Sequence, residues 1–155
     1  MTADGGRRSS AGTFIADTLV NRFARRVFTG AGIYGLIVMA PQYFLAERIG
    51  RDTPPPITHQ EYFYGFIGLA LAWQVVFLLI GRDPERFRPL MLPAVLEKLA
   101  FGVPAIILYL QGSLPASVLF FGLLDLTLGA LFIAAWRATD ARRSATTVHG
   151  RAATA

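Results

Sequence analysis

A chain of 155 residues is too short to hold several domains. Hydrophobic residues make up 54% of it and charged ones 16%, too little charge for an ordinary soluble domain of this size. The formal net charge of +5 would suit nucleic acid in a soluble chain, but no basic and aromatic platform accompanies it, so no nucleic-acid partner is expected. Cysteine is absent, which excludes disulfides, zinc–thiolate sites and thiol catalysis.

The apolar residues are gathered into four long runs that together fill about half the chain, each close to the ~20 residues that cross a bilayer core as helix. The pattern predicts an all-α polytopic membrane protein, a four-helix up-and-down bundle whose solvent is the lipid bilayer. Residues 1–12 are rich in Gly, Ser and Arg and are expected to be disordered. Phe14, Ile15, Leu19 and Phe23 then recur at helical spacing, with Arg22, Arg25 and Arg26 between them. This suits either a short amphipathic helix on an anionic leaflet or the first turns of the first span, and residues 1–26 form an N-terminal segment either way. Arg7-Arg8 leads into Ser9-Ser10 rather than an apolar core, and the first apolar run has full span length, so a retained anchor is expected rather than a cleaved signal.

Span one is expected over 27–46. Gly30, Ala31, Gly32 and Gly35 make one end of it small enough for close helix packing, and Pro41 lies near the far end, where a kink costs little. The following loop carries Pro54-Pro55-Pro56, a stiff extended element, and ends in Thr58-His59-Gln60-Glu61, which has the form of a capping box. His59 is then an exposed loop residue. Span two, 62–80, opens on an interfacial belt, Tyr62-Phe63-Tyr64. Gly65, Gly68 and Ala72 line one face for packing, while Gln74 projects nearly opposite, toward a different neighbour or an oligomer contact.

Gly81 is expected to stop that helix, and Asp83-Pro84 to start the next as cap and first helical residue. Span three, 90–110, holds Glu97 beside Lys98, the only lysine in the chain. Its eleven Leu, Ile, Phe and Val residues favour insertion by about 3–7 kcal/mol, and the charged pair opposes it by about 5–7 kcal/mol. Span three is therefore marginal alone and needs partners. An uncharged turn, Gln111 to Pro115, leads to span four, 116–136, with Asp125 in its middle. Residues 137–155 form a polar tail, expected to be disordered beyond a turn or two. Twelve arginines fall on the side of the two termini and the loop between spans two and three, against Arg48 and Arg51 on the other. By the positive-inside rule both termini face the cytoplasm of an inner-membrane protein.

At a rise of ~1.5 Å per residue, Tyr34, Gln74, Glu97, Lys98 and Asp125 fall in one layer of the inner half of the bilayer. Ala94, Lys98, Gly102 and Ala105 share a face of span three, and Gly122, Asp125 and Gly129 share one of span four. A five-residue turn makes these helices antiparallel neighbours, so a Lys98–Asp125 ion pair across them is the simplest expectation. Glu97, roughly 100° round the helix, would face Gln74 or Tyr34. These five residues are the candidate binding site. They serve either as polar glue between helices or as a place for a proton, a cation or a small amphipathic ligand.

Two histidines, His59 in a loop and His149 in the tail, cannot build a catalytic triad or a multi-histidine metal site, and neither a catalytic set nor a metal site nor a cofactor is expected. The size and four-span layout resemble those of DoxX-like proteins and, at greater distance, of the small multidrug transporters. The latter carry their key acid in the first span, where this chain has none, and no residue role carries across. A non-enzymatic membrane protein with a ligand-binding polar layer is the leading expectation. That reading allows a homo-oligomer; an accessory or assembly subunit of a larger membrane complex and a lipid-modifying enzyme using Glu97 or Asp125 are the alternatives.

Overall fold

The computed structural model describes residues 5–52 and 56–152, with side chains for 18–52 and 56–139. Five α-helices follow in order: α1 (Gly5–Met39), α2 (Ala46–Asp52), α3 (Gln60–Arg82), α4 (Met91–Leu110) and α5 (Ala116–Ala152); there is no strand among the described residues. Four stretches are long and apolar enough to cross a membrane: Thr18–Phe44, Gln60–Arg82, Arg88–Leu110 and Ala116–Thr139. They lie on the four apolar runs. Large apolar side chains such as Ile37, Leu69, Leu96 and Phe120 stand exposed around the outside, a surface that suits hydrocarbon rather than water.

The helices pair unequally. α1 packs along α3 and also reaches α5, α4 packs along α5, and α3 meets α4 at only a few points. In space the order is α3, α1, α5, α4. The α4–α5 contact is closest where glycine removes the side chain: a Cβ on Gly102 would lie 2.9 Å from the Gly122 carbonyl and 2.6 Å from the Leu126 side chain. At the centre Phe28 of α1 stacks on Phe132 of α5 with centroids 4.1 Å apart, and Phe77 of α3 meets Phe132 edge-on at 5.1 Å. All three rings are fully buried, so one aromatic cluster joins three helices.

Local chemistry explains where the elements stop. α1 ends at Met39 because Pro41 cannot donate its missing amide hydrogen, and a tighter turn over Ala40–Phe44 follows. α4 ends in a Schellman motif: Gly112 at φ +71° lets the Ser113 amide donate to Leu108 (2.9 Å) and its own amide to Tyr109 (2.9 Å). The arginine-rich ends of α1, α3, α4 and α5 meet at one pole. There Arg25 donates to the carbonyls of Gly81 (3.3 Å) and Arg82 (2.9 Å), satisfying the open end of α3 from α1. Arg88 donates to the Thr139 hydroxyl (3.2 Å) and lies over the Trp136 ring, tying the start of α4 to α5.

Several expectations change. α1 starts at Gly5 and α5 runs to Ala152, whereas coil was expected at both places. No Gly or Pro interrupts residues 13–29 or 137–149, so each packed helix propagates outward at one hydrogen bond per residue. The side chains of Phe14 and Ile15, and most of the triproline run, lie outside the described residues. The capping box does not form: the cap of α3 is His59, no side chain caps it, and Glu61 turns back to the His59 ring nitrogen at 3.2 Å. The helix begins one residue too late for Thr58 and Glu61 to reach each other. Gly81 does not stop α3 but lies within it, where its bare surface admits Thr29 of α1. Asp83 accepts from the Arg86 amide (3.2 Å) and so caps a single turn, with α4 itself starting at Met91. Of the face expected to pack, Gly65 meets nothing and Gly68 meets only the Tyr43 hydroxyl, and α3 packs mainly through Ile67, Gln74 and Phe77.

If Gly102 sets the α4–α5 distance, Gly102→Ile forces those helices apart. Overpacking of this kind costs about 1–3 kcal/mol. Thermal scanning in detergent is expected to show a lowered midpoint for Gly102→Ile and an unchanged one for Gly65→Ile.

Candidate functional site

The buried face of α4 carries Ala94, Lys98, Gly102 and Ala105 in successive turns. The small neighbours let α5 approach, and the Lys98 stem runs along that contact, its Cβ 3.4 Å from where a Cβ on Gly129 would stand. The side chain is 6% exposed. Its Nζ donates to Asp125 Oδ1 at 3.0 Å, which is the ion pair expected across the two helices. The same ammonium lies 5.3 Å from the centroid of the Phe77 ring, so α3 supplies its third side as a π face.

Glu97 differs from expectation. Its carboxylate folds back to the neighbouring Lys98, with Oε2 at 3.1 Å from Nζ, instead of facing Gln74 or Tyr34. The contact is more coulombic than directional, since the aligned oxygen, Oε1, is 3.5 Å away and the sealed Oε2 accepts no hydrogen bond. The cause is the length of lysine: its flexible stem places the charge between both acids, which a helical wheel drawn at Cβ positions does not register.

The two remaining residues of the layer take other partners. Gln74, nine-tenths or more buried, donates its amide to the Ala70 carbonyl at 2.9 Å. Its side chain lies flat on Gly35 of α1, where any Cβ would overlap it. Gln74 thus seals the α1–α3 seam and stands apart from the acids. Tyr34 is half-buried on α1 and within electrostatic reach of Asp125. The structure therefore gathers Glu97, Lys98 and Asp125 in direct contact, sets Tyr34 beside them, and turns Gln74 away.

Sequence reasoning missed Phe77. The signal was its position three residues from Gln74, on the same side of the helix, but one phenylalanine among twelve carries no mark of its neighbour. Among the described residues no three His, Asp or Glu side chains gather as a metal-holding group. What the cluster offers is two carboxylates on either side of one ammonium, in low-dielectric surroundings. No family model, curated protein or solved structure matches this chain.

Removing one partner of a buried ion pair costs about 3–5 kcal/mol, while replacing both with apolar groups of similar size is far better tolerated. Lys98→Met strands two acids and Asp125→Leu leaves the ammonium with Glu97 alone. The double variant Lys98→Met/Asp125→Leu is expected to be more stable than the sum of the single losses, by a coupling of about 0.5–3 kcal/mol. Chemical denaturation of the four proteins in mild detergent measures it, and additive losses would mean that the pair contributes nothing across the helices.

Proposed function

We propose that this chain is a multi-pass protein of the inner membrane with both termini in the cytoplasm, and that its buried polar layer binds a proton or cation, alone or with a small amphipathic ligand. The observation that carries the reading is the charge count around Lys98: two carboxylates within 3.1 Å of one ammonium. Fully ionised, the cluster has one negative charge in excess. In hydrocarbon surroundings an uncompensated charge is costly, and a bound proton or cation removes it. A clasp between α4 and α5 requires only Lys98 and Asp125. The second acid exceeds what a clasp needs, and it supports binding over a purely structural role.

Between the two occupants, the proton is favoured. A metal cation set between Glu97 and Asp125 would stand against the Lys98 ammonium and be repelled by it. A proton on one acid leaves Lys98 to pair with the other, and the cluster is then neutral overall.

A neutral carboxylic acid absorbs in the infrared apart from a carboxylate, which makes the proton directly visible. Glu97→Gln removes one acid and keeps the side-chain volume, so the neutral-acid band of the folded wild-type protein is expected to be lost in this variant. A wild-type protein lacking that band at every pH at which it remains folded would refute a proton site. Orientation has its own test, helped by a chain without cysteine. In intact cells an impermeant maleimide is expected to label Gln111→Cys and not Ser144→Cys.

A further inference from the structure

The two acids of the cluster are held on different sides of it. Asp125 stands on the α5 face that also carries the buried Gly122 and Gly129, between Lys98 of α4 and Tyr34 of α1. Its carboxylate is directed across the α4–α5 contact at Lys98. Glu97 stands on a flank of α4. At 100° per residue, Glu97, Phe101, Pro104 and Leu108 fall within roughly 60° of one another on that flank. Pro104 and Leu108 are exposed, so the flank is open on the far side of Phe101 from the acid. At its middle the cover comes from α3 by side chains alone: the Phe101 ring meets the Phe66 ring at 6.3 Å, and the α3 and α4 backbones approach each other at few points. Aromatic side chains across a wide seam move more readily than packed backbone.

We infer that Glu97, not Asp125, is the exchangeable acid of the cluster, and that it is reached sideways from the hydrocarbon layer through the seam between α3 and α4. This rests on the reading of the cluster as a proton-binding layer and gives that layer an entrance. The charged and titratable groups around Glu97 are Lys98 on its own helix and Asp125 from α5, with Tyr34 of α1 beyond them beside Asp125. α3 brings no titratable side chain between Tyr64 and Arg82 and offers only its aromatic rings. A neutral Glu97 therefore has an apolar way out and an ammonium behind it. The other acid keeps the ammonium tied across α4 and α5 while Glu97 exchanges.

A hydrophobic carbodiimide reads both properties together. The O–H of a neutral carboxyl adds across one C=N bond of dicyclohexylcarbodiimide to give an O-acylisourea, which rearranges away from water to a stable N-acylurea. The reagent is incorporated whole, with no leaving group. The full chain is reconstituted in phosphatidylcholine vesicles, treated with dicyclohexylcarbodiimide, and its adduct located by peptide mass mapping. The expected result is an adduct on Glu97 and none on Asp125. A water-soluble cationic carbodiimide is expected to react at least about tenfold more slowly, since a cation enters hydrocarbon poorly. Phe101→Ala, which removes half of the aromatic cover and leaves the cluster intact, speeds the adduct.

The wild-type map needs no variant, so a misfolded Glu97→Gln cannot obscure it. An adduct on Asp125, or equal reaction with the water-soluble reagent, overturns the lateral route. In either case the infrared band of a neutral acid would still support proton binding by the cluster. Absence of any adduct overturns the inference, and absence of the band as well removes the reading beneath it.

Discussion

The Lys98 ammonium is the constraint on which the rest of the bundle depends. A single cation buried among apolar helices must have anionic partners, or the segment that carries it is unstable in any low-dielectric setting. That requirement determines which helix α4 lies against, because Asp125 is the partner available from another helix. It also explains the glycines of that contact. The ammonium and carboxylate reach 3.0 Å only if the backbones come close, and Gly102 and Gly122 permit that approach.

Around this pair the other elements act as supports. Phe77 joins Lys98 to the aromatic cluster with Phe28 and Phe132, so one side chain of α3 touches both the charged and the apolar centre. At the arginine-rich pole, guanidinium groups close helix ends that would otherwise leave carbonyls without partners. The pole is thus held by hydrogen bonds and the middle by charge and rings. The flank of α4 toward α3 is covered more thinly, by the Phe66 and Phe101 rings, and this is where Glu97 stands.

Much of this was legible in the sequence. Four apolar runs, the uncharged turn and the small-residue faces of α4 and α5 follow from periodicity and composition, which depend on neighbours along the chain. The Lys98–Asp125 pair was legible because a five-residue turn fixes which helices meet and depth fixes which residues are level. The destination of Glu97 was not, because it depends on how far a lysine bends back along its own helix. Nor was the face of α3: Gly65, Gly68 and Ala72 look like a packing surface, but the bulk of Phe77 and the amide of Gln74 decided which side α1 would cover. The capping box failed for a similar reason, since tertiary packing set the start of α3 and a shift of one residue uncouples the motif.

The order of helices in space differs from their order in the chain, and this has a consequence for assembly. A chain made from its N-terminus completes α1 and α3 early, and these two can join at once. α4 comes next and finds little on α3 to hold it, while its lysine has only the adjacent acid for company. α5, which follows, is the element that packs along α4 and also reaches α1. It brings Asp125 to the waiting ammonium and Phe132 to the waiting rings in a single step. α5 is therefore the keystone, and the arrangement of the four long helices comes into being only once it has been made.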